Sequence, residues 1–298
     1  MNPAANKIWL VILLGAISTI QIHLAKALER QGIDALDIIA KKSKRRGQKG
    51  EVPRKNYIVY FIGLLLNNTV FIYHLFIVPL GGTTAVYTSM YGVGLLVLLL
   101  YSAKVLKEPL SRQEWIGALA IFLGTTIIGI EGLRRPPFDM GWIDFNRTIV
   151  LICFVLVFSA ILIYISFRNG SKHIIALGFG FGAGIFGALD PLLKGIGQTH
   201  GGGSMLVPLS TLGWIVFVTS YIIGFISFLI VQWGFYLRTR ANILVPMYNA
   251  SYIALPVIVQ VMLLPGYSIY LSTVLGLGFI IFGFIILGNK SALLYETA

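Results

Sequence analysis

Few residues in this 298-residue chain are of a type and spacing that bears on chemistry, and each sits in an apolar setting. Asp190 stands in the run Gly187-Ala188-Leu189-Asp190-Pro191-Leu192-Leu193-Lys194, with Lys194 four positions on and so on the same helical face. An ionised group in hydrocarbon needs a partner or an aqueous cavity. The pair therefore reads either as a cation or proton site, with Asp190 as the metal-ligating carboxylate, or as a structural ion pair with Lys194 snorkelling outward. Pro191 between them weakens the local hydrogen-bond ladder and is expected to open the helix there.

Tyr87 and Tyr91, accompanied by Thr88 and Ser89, are echoed by Tyr248 and Tyr252, accompanied by Asn249 and Ser251. Tyrosines four apart share a face, so two opposed pairs would line a common cavity; placement in an aromatic belt is the plainer alternative. Gln21 and His23, then Asn67, Asn68, Thr69 and His74, add neutral polar groups to apolar runs. The adjacent amides Asn67 and Asn68 cannot both point inward. His23 and His74 titrate near neutral pH and suit proton or polar coupling, but serve equally as hydrogen bonders between helices. Glu131, beside Arg134 and Arg135, reads as an interfacial ion pair.

Phosphate-binding loop, nucleophile elbow, paired catalytic carboxylates and HExxH are all missing from the sequence, so no enzymatic activity and no cofactor are expected. Cys153 is the single cysteine, which excludes a disulfide framework and a cysteine metal cluster.

These residues need elements that can hold them in a bilayer. Only 11% of the chain is charged and 57% is hydrophobic, whereas soluble domains carry about 25% charged residues. Soluble globular and disordered classes are excluded, and an all-α polytopic membrane protein is expected. A crossing takes roughly 20 apolar residues. Nine such runs are present, at 8–27, 57–77, 83–103, 115–133, 148–167, 174–195, 210–233, 243–264 and 268–288. Runs such as Leu95-Leu96-Val97-Leu98-Leu99-Leu100 do not alternate, which argues against a β-barrel.

With nine crossings, the 23 basic residues divide 18 to 5 between the two sides. The positive-inside rule then places the N-terminus outside and the C-terminus in the cytoplasm. The 28–56 loop falls on the cytoplasmic side. Its 33–40 segment reads as a short amphipathic surface helix, and the 41–55 stretch as a patch for anionic lipids or an orientation anchor. That distribution makes membrane orientation, and not nucleic acid, the reason for the net charge of +12. A homodimer is compatible with such a chain.

Gly117, Gly124 and Gly129 are spaced by seven and five, and so are Gly276, Gly283 and Gly288. The tyrosine pairs lie 161 residues apart, the glycine triplets 159, and Lys26 and Lys194 168. Three echoes in one order argue for a duplication. On the charge count its halves have opposite topology, the inverted arrangement of many secondary transporters. Four helices fall in 1–133, with an extracellular linker at 134–147 and five helices in 148–298.

The segment Thr84-Ala85-Val86-Tyr87-Thr88-Ser89-Met90-Tyr91, running through Lys107-Glu108-Pro109-Leu110 to the glycine span, resembles the drug/metabolite transporter superfamily, with its EamA-like fold. More closely, the chain is similar to the nine-span NIPA-type magnesium transporters over about residues 8 to 290. Lys26 followed by a basic loop, Leu193-Lys194-Gly195-Ile196-Gly197 and Leu244-Val245-Pro246-Met247-Tyr248 carry that likeness. Two departures stand out: Tyr87-Thr88 replaces a Thr-Pro pair, and Pro265-Gly266-Tyr267 replaces a Lys-Glu-like turn.

The resemblance implies transport of Mg²⁺ or a related divalent cation. Mg²⁺ takes oxygen ligands and gives up water reluctantly, so Asp190, Asn67, Asn68, Thr88 and Asn249 would hold it with much of its hydration shell. The tyrosine pairs instead suit a small organic metabolite or amino acid. A non-transporting scaffold or lipid-binding protein is the alternative of another class.

Overall fold

The computed structural model describes residues 5–36, 54–70, 72–73, 91–108, 110–134, 145–199, 207–263 and 268–288. Among these, nine helices run in the order α1 (Ala5–Gln31), α2 (Arg54–Thr69), α3 (Tyr91–Lys104), α4 (Arg112–Arg134), α5 (Phe145–Asn169), α6 (Lys172–Thr199), α7 (Thr211–Tyr236), α8 (Ala241–Leu263) and α9 (Leu271–Gly288). Each overlaps one of the nine apolar runs. Six of them, α1 and α4 to α8, are long and apolar enough to cross a membrane; α3 and α9 are shorter apolar helices, and α2 has 16 residues. The protein is thus an integral, multi-pass helical bundle. Tyr87, Thr88, Ser89, His74, most of the 41–55 stretch and most of the 134–147 linker lie outside the described residues.

Local chemistry sets several helix ends. Ser111 and Glu114 form a capping box at the start of α4: Glu114 N–H donates to Ser111 Oγ at 3.1 Å, and Ser111 N–H donates to Glu114 Oε2 at 2.8 Å. Ser210 Oγ accepts from Gly213 N–H at 3.0 Å and caps α7. Between α5 and α6 the chain turns through Gly170, whose φ of +77° costs little without a Cβ.

α8 is the hub. Every residue from Ala241 to Ser251 is buried, with α1, α3, α4, α6 and α9 among its neighbours. α5 sits at the periphery and turns Val150, Phe154, Val157, Ile161 and Ile165 outward, as a lipid-facing helix does. The remaining pairings recur: α1 packs on α2 and α3, and α3 on α4; α6 packs on α7 and α8, and α8 on α9.

The glycine spans meet each other. A Cβ on Gly124 would lie 2.5 Å from the Gly276 carbonyl oxygen, and one on Gly276 3.0 Å from that of Gly124. Gly117 and Gly283 approach in the same way, at 3.0 and 2.5 Å. α4 and α9 therefore cross antiparallel at backbone contact, which only small residues permit. Gly129 is buried further along α4, and Gly288 closes α9.

Three expectations are corrected. α1 does not end near residue 27; it continues through Gln31, so the first residues of the 28–56 segment are helical. In the segment read as a surface helix, Ile33 and Ala35 are both buried, Ile33 in a cluster with Leu98, Phe179 and Phe235, while residues 37–40 lie outside the described residues. Apolar residues at that turn gain more from the protein core than from the headgroup region. Pro191 does not open α6, which runs unbroken from Lys172 to Thr199; neighbouring helices hold the chain where one hydrogen bond is lost.

Candidate functional site

A cavity of about 240 Å³ lies where α1, α2 and α3 meet α6, α7 and α8. On α1, Ile22, Lys26 and Glu29 are spaced by four and three and so share the face that lines it. On α6, Gly187, Asp190 and Lys194 do the same with three and four. Two glycines make room: a Cβ on Gly187 would lie 2.5 Å from the Tyr248 hydroxyl, and one on Gly224 3.0 Å from Asp190 Cγ.

Lys26 is 4% exposed, and its Nζ has no hydrogen-bond partner among the described residues. It stands 3.4 Å above the centroid of the Tyr248 ring, a cation–π contact. Glu29, fully buried one turn on, is held from two sides: Asn67 Nδ2 donates to Oε1 at 3.1 Å and Gln232 Nε2 to Oε2 at 2.5 Å. Tyr60 O–H in turn donates to Gln232 Oε1 at 3.0 Å. Across the cavity Lys194 pairs with Asp190 at 2.8 Å and lies 4.1 Å from the centroid of the Tyr221 ring.

The tyrosines form a continuous stack. Tyr91 lies against Tyr252 with centroids 5.1 Å apart, and Tyr252 against Tyr248 at 5.6 Å. His23 meets the edge of Tyr91 at 5.5 Å. Its Nδ1 lies 2.7 Å from the Thr19 carbonyl and its Nε2 2.6 Å from Asn249 Nδ2. A carbonyl only accepts, so Nδ1 carries the proton and Nε2 accepts from the amide. Gln21 turns away to α2, donating to Leu66 O at 2.9 Å and to Thr69 Oγ1 at 3.0 Å, and accepting from Tyr73 O–H at 2.7 Å.

The structure thus brings together Asp190, Lys194, Asn67, Tyr91, Tyr248 and Tyr252, with His23 and Asn249 just behind them. Asn68 is corrected: it is exposed on α2 and donates to its own Leu64 carbonyl at 2.7 Å, because the amide beside the inward-facing Asn67 must point out. Lys26, which closes the first apolar run, and Lys194, which closes the sixth, line one cavity. Glu29 adds a second acid to the cavity of Asp190 and is the more deeply buried of the two. Glu29, Gln232 and Tyr221 escaped the sequence reading. Gln232, a lone amide in an apolar run, was a usable signal, and Glu29 follows from extending the 22–26 helical phase by three.

One turn beyond Lys26 lies a second charged region. Arg30 Nε donates to Thr239 O at 2.8 Å and lies 3.6 Å from Glu108. Glu108 accepts from the backbone N–H of Ala241 at 3.1 Å and of Asn242 at 3.2 Å, which caps α8. Burial pushes the Glu108 carboxyl above its ordinary range, against the opposing pull of those N–H donors and of Arg30 and Arg240. Arg240 pairs with Glu114 at 3.0 Å, and Arg238 with Asp34.

Glu131, beside a wider recess of about 530 Å³ between α4 and α9, accepts from Ser272 Oγ at 2.5 Å and Thr273 Oγ1 at 2.6 Å. Its carboxylate is engaged at the start of α9; Arg135 and the Arg134 side chain, its expected ion-pair partners, lie outside the described residues. No family model, curated protein or solved structure matches this chain.

Proposed function

We propose that the protein is a secondary or facilitative transporter whose solute passes through the cavity between its two halves. The observation that carries this reading is the origin of the lining: α1, α2 and α3 contribute one wall, and α6, α7 and α8 the other. The reading includes nine crossings in a 4+5 inverted repeat of the drug/metabolite transporter kind. The contacts across the bundle support the repeat. Under the correspondence of Gly117 with Gly276 and Gly124 with Gly283, the Gly117–Gly283 contact maps onto Gly276–Gly124. Tyr91 and Tyr252, matched at a spacing two residues longer than that of the glycines, stack on each other close to where such a two-fold axis would pass. The proposed orientation puts the N-terminus outside and the C-terminus in the cytoplasm, with the 41–55 patch against anionic lipid.

For the cargo, the cavity favours a small organic solute. Lys26 and Lys194 repel a divalent cation, and the oxygens of Glu29 and Asp190 are engaged by Asn67, Gln232 and Lys194. No group of three or more His, Cys, Asp or Glu is poised for a metal ion among the described residues. One observation favours the second reading, Mg²⁺: Glu29 adds a second carboxylate to the cavity of Asp190.

The test is flux into proteoliposomes, Mg²⁺ with an internal dye and organic solutes by counterflow. Saturable organic-solute exchange is expected. Mg²⁺ uptake abolished by Asp190→Asn would move the cargo to the cation, and no flux of either kind would favour a scaffold. Residue 45, changed to cysteine on a Cys153→Ala background, should resist an impermeant thiol reagent in intact cells; labelling would overturn the orientation.

A further inference from the structure

We infer that the cavity recognises a small monocarboxylate with an apolar or aromatic body, the carboxylate bound by Lys26 and the body laid against the tyrosine stack. The inference rests on the transport reading and sharpens its substrate class. Its starting point is the Lys26 ammonium: 4% exposed, facing the cavity and without a hydrogen-bond partner among the described residues. A buried ammonium lacking an acceptor is costly. Its contact with the Tyr248 ring offsets part of that cost and leaves its N–H donors unused. A bound carboxylate would take them up.

The other cavity charges limit what that anion can be. Lys26 and Lys194 balance Glu29 and Asp190, so a monoanion leaves the site one charge from neutral and a phosphate dianion two, a heavier penalty away from water. Asp190 already meets Lys194 at 2.8 Å, and both Glu29 oxygens accept from amides, so an ammonium group would have to share acceptors already in use. This disfavours a zwitterion. Apart from Asn67 and Ser227 the remaining lining is apolar: Ile22, Val70, Phe228, Val231 and the faces of Tyr91 and Tyr252. The volume, about 240 Å³, lies below the roughly 300–1,000 Å³ of sites for drug-sized ligands. A compact solute fits.

The probe is 3-phenylpropionate, compared with its amide, with 3-phenylpropylamine and with phenylalanine, by calorimetry on the full chain in detergent. Charge-assisted pairing predicts that the acid binds about 10- to 100-fold more tightly than the amide. That comparison needs no variant. Lys26→Met should erase the difference, and Lys26→Arg should keep it. Equal affinity for acid and amide, no binding of any probe, or an acid preference that survives Lys26→Met would overturn the inference. Phenylalanine binding more tightly than the acid would do the same, by moving recognition to Asp190. Proteoliposome flux keeps the two readings apart: acid-selective binding without flux removes the transport reading alone, and flux without acid preference removes the monocarboxylate alone.

Discussion

On α1 a single helical turn separates Lys26 from Arg30, and the two cations meet different surroundings. Arg30 joins a region in which charges are paired across elements: with Glu108, beside Arg240 and Glu114, and Arg238 and Asp34. Those bonds tie α1, the α3–α4 turn, the start of α4 and the α7–α8 turn together. Lys26 faces open volume and an aromatic ring. The same residue types thus act as fasteners in one place and as an unsatisfied donor in the other. Paired charge at an element's end holds the fold; an ammonium whose N–H donors lack an acceptor beside a cavity is available to a ligand.

Breaking the fasteners should cost stability. Glu108→Ala removes the acceptor of two backbone N–H groups and the partner of Arg30, and should destabilise by about 3–5 kcal/mol, read as a lowered melting temperature in detergent. Gly124→Ala brings a Cβ against the Gly276 carbonyl and should cost about 1–3 kcal/mol by forcing α4 from α9. Ser111→Ala loses the Glu114 N–H acceptor, at about 1 kcal/mol. Asn68→Ala, on the outer face of α2, should change stability by less than about 0.5 kcal/mol and leave flux intact. Were Asn68→Ala to abolish flux, the division between inner and outer amides on α2 would fail.

Hydrophobicity made the helical class and the position of every long helix legible, because a crossing takes a long apolar run that little else produces. Spacing made the repeat glycines and the tyrosines visible: Gly117, Gly124, Gly276 and Gly283 meet, and Tyr91, Tyr248 and Tyr252 stack. Helix ends were less legible. Hydropathy falls at Lys26, yet the backbone continues helically to Gln31, since partners from α2 and α7 hold Glu29 inside. Those partners are 38 and 203 residues away in sequence, and no local pattern announces them. The same holds for Glu108, whose work is to cap a helix that begins at residue 241.

The most direct test of the central claim is access to the cavity from each side of the membrane. Ser227 lines the cavity on α7 and is 3% exposed. In Ser227→Cys, on the Cys153→Ala background, an impermeant thiol reagent should label the site slowly from either face in separate experiments, and labelling should stop solute flux. Labelling from one face only, or full flux after complete labelling, would contradict a transport site at the centre of this bundle.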